Sequence, residues 1–398
     1  MVQQDFQVDG FLFGAVKSGI RGKDRLDLAM IYCTVPAAAA AVFTTSQVKA
    51  APVLLGIERI KGGRVQAILV NSGIANACTG AEGLDKARTA SGLAARALGV
   101  DEAFVQVSST GVIGQQLDLT CFSHVGRLVS ELAPDKAMDV ARAIMTTDTV
   151  PKTAVRTVTI AGKRVTIAGM AKGAGMIMPN MATMLCYLMT DAAVEPELMQ
   201  QILSRSVELS FNRITVDGDT STNDTVLFLA SGRAGNAALA DPASAEAILL
   251  QQAVDELTRD LAVQIVADGE GATKLVTVKV VGARSESDAE LAARTVANSP
   301  LVKTAFFGQD ANWGRIIAAL GRSGIVFDQA KVDIAFDEAR IVGNGLWLGV
   351  EAEQAATMVL KQKAFTVLIT LQEGAGSSAI LTCDLSIDYI KINADYRS

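Results

Sequence analysis

Lys172-Gly-Ala-Gly-Met-Ile-Met-Pro-Asn-Met-Ala-Thr-Met-Leu-Cys-Tyr-Leu-Met-Thr-Asp191 is the least ordinary stretch of this 398-residue chain. Its Lys-Gly-x-Gly start lets the backbone reach positive φ and bend sharply. Pro179-Asn180 sets a second bend, and from Thr183 onward the apolar run Met184 to Met189 reads as a buried strand. Just upstream, Val155, Thr157, Thr159 and then Val165, Ile167 alternate around Ala161-Gly-Lys163, the pattern of a hairpin. Thr183 therefore stands at the mouth of a buried strand that is entered through tight turns.

Outward from that point, strand and helix signals alternate, which reads as α/β or α+β, with layered sheets and flanking helices. Strands are expected at Val65–Val70, Val105–Ser108, Lys274–Val281, Val332–Phe336, Phe365–Leu371 and Ala379–Leu385. A glycine-punctuated turn is expected at Ser109-Thr-Gly-Val-Ile-Gly114. Leu84–Leu98 reads as a helix stopped by Gly99, and Ala289–Ala297 and Arg315–Leu320 as two more. A longer helix is expected from Asp241-Pro-Ala, with Asp241 as N-cap and Leu250, Val254, Leu257, Leu261 and Ile265 along one face.

Composition removes whole classes of function. The net charge is −6, from 36 basic and 42 acidic residues, and a general nucleic-acid binder needs the opposite sign. His124 is the only histidine, so zinc sites built on two or three histidines are excluded. The five cysteines are odd in number and widely spread, the usage of a reducing cytosol. The N-terminus lacks a secretory pattern. The apolar stretch Val35–Phe43 falls far short of the ~20 residues of a membrane helix. These features lead us to expect a cytoplasmic protein with no nucleic-acid or membrane partner.

With histidine so scarce, Thr183 invites a different chemistry. If the bends twist the Ala182–Thr183 peptide, the hydroxyl can attack the preceding carbonyl and cut the chain. The liberated amine, with a reference pKa of about 7.7–8.0, would then serve as base for its own hydroxyl. On pattern alone, a β-branched core residue opening a strand is the simpler account of Thr183.

The segment Lys172 to Asp191 resembles the signature of the ornithine acetyltransferase family, the bifunctional glutamate/amino-acid N-acetyltransferases of arginine biosynthesis. Asn71-Ser-Gly-Ile-Ala-Asn-Ala-Cys-Thr-Gly80, Ser109–Gly114, Met145-Thr-Thr-Asp-Thr149, Ser210–Asp224, Asp268-Gly-Glu-Gly-Ala-Thr-Lys274, Asn312-Trp-Gly-Arg315 and Ile392–Ser398 look like further family blocks, in family order. The resemblance implies self-cleavage at Ala182–Thr183. This would give an alpha chain 1–182 and a beta chain 183–398 that stay associated, in an α2β2 assembly. Thr183 matches the nucleophile of a ping-pong cycle, while Thr110 and Gly111 match the oxyanion pair. Lys172, Thr146 (or its neighbour Thr147), Glu270, Asn393 and Ser398 match positions lining the substrate site.

What the resemblance implies is acetyl transfer from N-acetylornithine to glutamate, with acetyl-CoA as second donor if the enzyme is bifunctional, and no metal or organic cofactor. Three positions depart from the family pattern. Ala174 stands where Ser is common, Ile74 where Asn is usual, and Ala311 where Pro often precedes Asn-Trp-Gly-Arg. Asp217–Asp224 fails as a calcium loop, because Thr222 and Phe228 stand where Gly and a carboxylate are needed. It reads instead as a loop stapled by side-chain-to-backbone bonds. Gly343-Asn-Gly-Leu-Trp-Leu-Gly349 has the wrong spacing for a dinucleotide loop. Two rivals remain: a self-processing aminopeptidase or amidohydrolase, in which water replaces glutamate, and an uncleaved relative that only binds amino acids.

Overall fold

The computed structural model describes residues 6–22, 24–178 and 184–394. Its contacts divide the chain into two units. One comprises residues 1–212 and 219–265, the other 213–218 and 266–398. Neither boundary coincides with Ala182–Thr183.

The first unit is built on a sheet with eight strands among the described residues: β1 (Phe11–Val16), β2 (Leu28–Phe43), β3 (Arg64–Ile74), β4 (Val105–Val112), β5 (Lys152–Ile160), β6 (Lys163–Lys172), β7 (Leu185–Thr190) and β8 (Thr225–Ala230). The order is β4-β3-β2-β8-β7-β6-β5, with β1 also paired to β2. β5 and β6 form the expected hairpin, in register from Lys152↔Ala171 to Ile160↔Lys163. Two parallel pairs, β3–β4 and β7–β8, are each joined through a helix. Such crossovers are what parallel pairing demands.

Alternate residues feed opposite faces of this sheet, as period-2 side-chain geometry requires. Leu28 and Met30 of β2 join Ala67 and Leu69 of β3 under helices α1 (Ala51–Arg59), α2 (Gly80–Leu98) and α3 (Val125–Ser130). Ala29 and Ile31 join Ile68, Val70, Ala168 and Met170 on the other face, against α4 (Ala137–Ala143). α2 ends at Gly99 with φ +69°, the expected left-handed cap.

Next come α5 (Pro196–Leu209), between β7 and β8, and α6 (Ala245–Ala267). The five apolar residues expected on the inner face of α6 are all buried. Gly169 of β6 makes room for it, since a Cβ there would lie 2.8 Å from Leu257 and 2.9 Å from Leu261. The N-cap differs from expectation. Asp241 caps the preceding turn by accepting from the Ala243 N–H, and Ser244 caps the helix by accepting from the Ala247 N–H at 3.2 Å. Pro242 permits only the turn at that point, so the helix starts one turn later.

The second unit carries six strands among the described residues: β9 (Leu275–Ala283), β10 (Asp333–Phe336), β11 (Ala339–Gly343), β12 (Leu346–Trp347), β13 (Ala364–Thr370) and β14 (Gly376–Cys383), in the order β12-β11-β10-β13-β9-β14. Val276, Val278, Val280, Val367, Ile369 and Ile334 face a core closed by α7 (Glu286–Ala297), α8 (Pro300–Phe307), α9 (Trp313–Gly321) and α10 (Val350–Leu360). Alanines 289, 292, 293 and 297 on α7 let that helix approach the sheet closely. Asn312-Trp-Gly-Arg315 is the start of α9, where the Asn312 side chain accepts from the Arg315 N–H. Asn344 and Gly345, at φ +50° and +74°, make the tight turn from β11 to β12. α11 (Ile387–Ala394) closes the described chain.

Candidate active site

Thr110 and Gly111 lie on β4 and not on a turn. The strand continues to Val112 because parallel pairing with β3 carries through Ser72↔Thr110, Gly73↔Gly111 and Ile74↔Val112. Both glycines are obligatory. Gly111 has φ +133°, and a Cβ there would overlap the carbonyl group of Gly73. Gly73 has φ +112°, with Arg21 Cγ 2.6 Å from where its Cβ would be. The strand ends are then tied sideways. Asn71 Oδ1 accepts from the Ser109 hydroxyl at 2.7 Å, and Asn223 Nδ2 donates to the carbonyls of Ala75 at 2.6 Å and Ser109 at 2.8 Å. Thr110 is thus held on a rigid, largely buried rim, the arrangement that preset oxyanion donors need.

Lys172 is the last residue of β6 and pairs with Leu185, the first of β7, which in turn pairs with Thr225 of β8. The connection bearing residues 179–183 is therefore closed at its base by a fixed pair. Thr183, Ala182 and the Pro179-Asn180 bend lie outside the described residues, as does Ser398. Of the methionines beside Thr183, Met184 and Met189 are core residues, whereas Met176, at 41% exposed, is not.

A buried ionic cluster organises the neighbouring candidates. Asp148 accepts from the Thr146 N–H at 3.0 Å, the Gly173 N–H at 2.7 Å and the Lys152 ammonium at 2.6 Å. Burial pushes the Asp148 carboxyl up, but the charges of Lys172 and Lys152 and these bonds outweigh it and hold the pKa at about 2. One carboxylate thereby fixes both Thr146 and the turn that follows Lys172. From the other side, Arg21 donates to the Met145 carbonyl and, at 3.0 Å, to that of Thr146. Thr146 is buried and doubly anchored, while Thr147 is only partly buried.

In the second unit Glu270 and Asn393 come together, the Asn393 amide donating to Glu270 Oε2 at 2.7 Å. Glu270 is nine-tenths buried on the turn after α6. That turn depends on Gly271, at φ +67°, where a Cβ would lie 2.5 Å from the Tyr389 backbone nitrogen. Ser386 donates to the Gly271 carbonyl at 2.6 Å, and Asp384 accepts from Thr273 and Lys274 backbone N–H groups at 2.8 and 2.9 Å. The start of α11 is thus bound to the Glu270 turn, and it carries Asn393 there.

A model of the ArgJ family matches residues 12–398. The chain belongs to the ArgJ family. The Arginine biosynthesis bifunctional protein ArgJ of Desulfotalea psychrophila is 53% identical over 98% of this chain and all of that one. The protein of the same name from Geobacter sulfurreducens is 52% identical over the same shares. Among solved structures, ArgJ from Bacillus halodurans is 41% identical over 51% of this chain and 95% of that chain, with a TM-score of 0.49. Ornithine acetyltransferase from Mycobacterium tuberculosis, complexed with ornithine, is 36% identical over 44% of this chain and 96% of that chain, with a TM-score of 0.40.

As a member of the ArgJ family, the chain assembles its sequence-derived candidates in two groups. Thr110, Gly111, Thr146 and Lys172 are organised by the first unit, and Glu270 with Asn393 by the second. Asp148, Lys152, Arg21 and Asn223, which position them, carried no warning beyond lying in or near family-like blocks. Among the described residues no group of three or more His, Cys, Asp or Glu side chains could hold a metal ion, and no helix is long and apolar enough to cross a membrane.

Proposed function

We propose that this ArgJ-family chain is a glutamate N-acetyltransferase that moves an acetyl group from N-acetylornithine to glutamate in arginine biosynthesis, through acetyl-Thr183. What carries the reading is a match to proteins named for that pathway over 98% of the chain, at about half identity. The rigid Thr110–Gly111 rim supports it. Self-cleavage at Ala182–Thr183 frees an amine that takes the Thr183 Oγ proton as Oγ attacks the acetyl carbonyl. The tetrahedral oxyanion forms against the Thr110 hydroxyl and the Gly111 N–H, and its collapse passes the proton to departing ornithine. The glutamate amine then attacks the acetyl ester and the same proton path runs in reverse.

Lys172 supplies a cation for a substrate carboxylate, and the Glu270–Asn393 pair an anion for an ammonium group. Thr146, its neighbour Thr147 and Ser398 complete the proposed substrate-binding set. The reaction as drawn needs no metal or organic cofactor, and acetyl-CoA is an alternative donor for the same nucleophile. An α2β2 assembly in the cytoplasm belongs to the same reading.

The test is acetyl transfer to glutamate from N-acetylornithine and from acetyl-CoA, by wild type and Thr183→Ala, with products followed in the presence and absence of glutamate. The reading expects N-acetylglutamate from wild type only. Acetate released at an equal rate without glutamate would instead identify a hydrolase.

A further inference from the structure

The loop ahead of β8 places an unused carboxyl beside the head of β7. Asp224 is 3% exposed, and its Oδ2 is among the few buried side-chain oxygens with no hydrogen-bond partner. Its backbone is fixed on both sides. The Asp224 carbonyl accepts from the Thr44 N–H at 3.0 Å, and the next residue, Thr225, donates its N–H to the Met184 carbonyl at 3.0 Å. The preceding residue, Asn223, is the one that ties the strand carrying Thr110. Met184 is the covalent successor of Thr183, so this loop links the oxyanion rim to the nucleophile's strand through three consecutive residues.

An unsatisfied buried carboxyl oxygen costs free energy unless something else uses it. We propose that Asp224 is a positioning residue for acyl transfer: it fixes the head of β7 at Met184 and offers its unpartnered Oδ2 to the amine that cleavage creates at Thr183. This rests on the Thr183 reading given above. Burial drives the Asp224 carboxyl well above the usual carboxylate range, and the Met184 N–H, the Lys172 cation and the Ser221 and Thr44 hydroxyls oppose it without prevailing. The neutral acid suits the role. A carboxylate there would hold the amine as ammonium, which cannot accept the Oγ proton, whereas the neutral acid leaves it a free base. No proton is gained or lost overall, because the amine takes it from Oγ and returns it to the leaving nitrogen.

The test uses the full-length protein carrying Asp224→Asn or Asp224→Ala. Chain cleavage is read on a denaturing gel, and kcat and KM for N-acetylornithine are measured across pH. Asparagine mimics the neutral acid, so that variant should cleave and keep kcat at neutral pH within about threefold. Since it cannot ionise, the alkaline limb of its kcat profile should move up by about one pH unit or more. Alanine should lower kcat by about 10²-fold with KM within about threefold.

Wild-type kcat in the alanine variant overturns the proposal. So does an alkaline limb unmoved in Asp224→Asn, or a KM that rises in step with the loss of kcat. An uncleaved Asp224→Asn chain also overturns it, by assigning the carboxyl to processing. Acetyl transfer by Thr183→Ala would instead remove the reading beneath it, an outcome visible without any Asp224 variant.

Discussion

At Gly111 the backbone sits at φ +133° against the carbonyl group of Gly73, so a single methyl must displace the oxyanion strand or its neighbour. Gly111→Ala should therefore lose acetyl transfer and also lower the melting temperature, by several degrees for each ~1–2 kcal/mol of strain. Thr110→Val keeps the volume and removes the hydroxyl. It should lower kcat by about 10²–10³-fold while KM and melting temperature stay close to wild type. Steady-state kinetics beside a thermal melt separates the two outcomes, and equal losses of stability in both variants would count against an oxyanion role for Thr110. Thr183→Ala should abolish both processing and transfer, whereas Thr183→Ser should retain part of each.

Among the elements, the buried Asp148–Lys152 pair ties β5, the Thr146 segment and the turn after β6 into one device. Removing one partner leaves the other charge buried and uncompensated, so Lys152→Met should cost about 3–5 kcal/mol, measured by denaturant unfolding. Replacing both, as Asp148→Leu with Lys152→Met, should recover much of that stability but not activity, since Thr146 and Gly173 lose their acceptor. The pH dependence follows from the depressed carboxyl. With a folded pKa of about 2 against a model value of 3.8, the cluster's contribution is complete above about pH 4 and lost as pH falls through 2. The acid limb of unfolding should flatten in the double variant.

Elements whose side chains keep one period were legible from sequence. β3, the β5–β6 hairpin, β7, α2 and the inner face of α6 all lie where periodicity placed them. β2 was not, because Pro36 and the five alanines from Ala37 to Ala41 look like anything but the middle of a long strand. They form one because the strand is flanked by β3 and β8, and small side chains suit a sheet packed on both faces. Thr110 and Gly111 were found through their block but mistaken for a turn, since the pairing that extends β4 comes from a strand 38 residues away. Asp148 and Asn223 were missed for the same reason. A short polar side chain in a loop declares its partners only when the chain has folded.

For the whole molecule, the proposed cut falls between strands that pair with each other: β6 precedes it, and β7, which follows it, lies between β6 and β8. The two fragments should therefore behave as one particle. Denaturing electrophoresis should show two bands near half of 41.6 kDa, and native size exclusion should elute both together. Fragments that separate without denaturant would contradict the sheet order described here. The division into two units is independent of that cut, so thermal unfolding should be indifferent to whether the chain has been processed.

The most direct test of the account is to trap the enzyme during turnover with acetyl-labelled N-acetylornithine and map the label by peptide mass spectrometry. The account predicts one acetyl group on the hydroxyl of Thr183, in a peptide that begins at that residue, discharged on adding glutamate. Label on any other side chain, or none in an enzyme that is turning over, would contradict it.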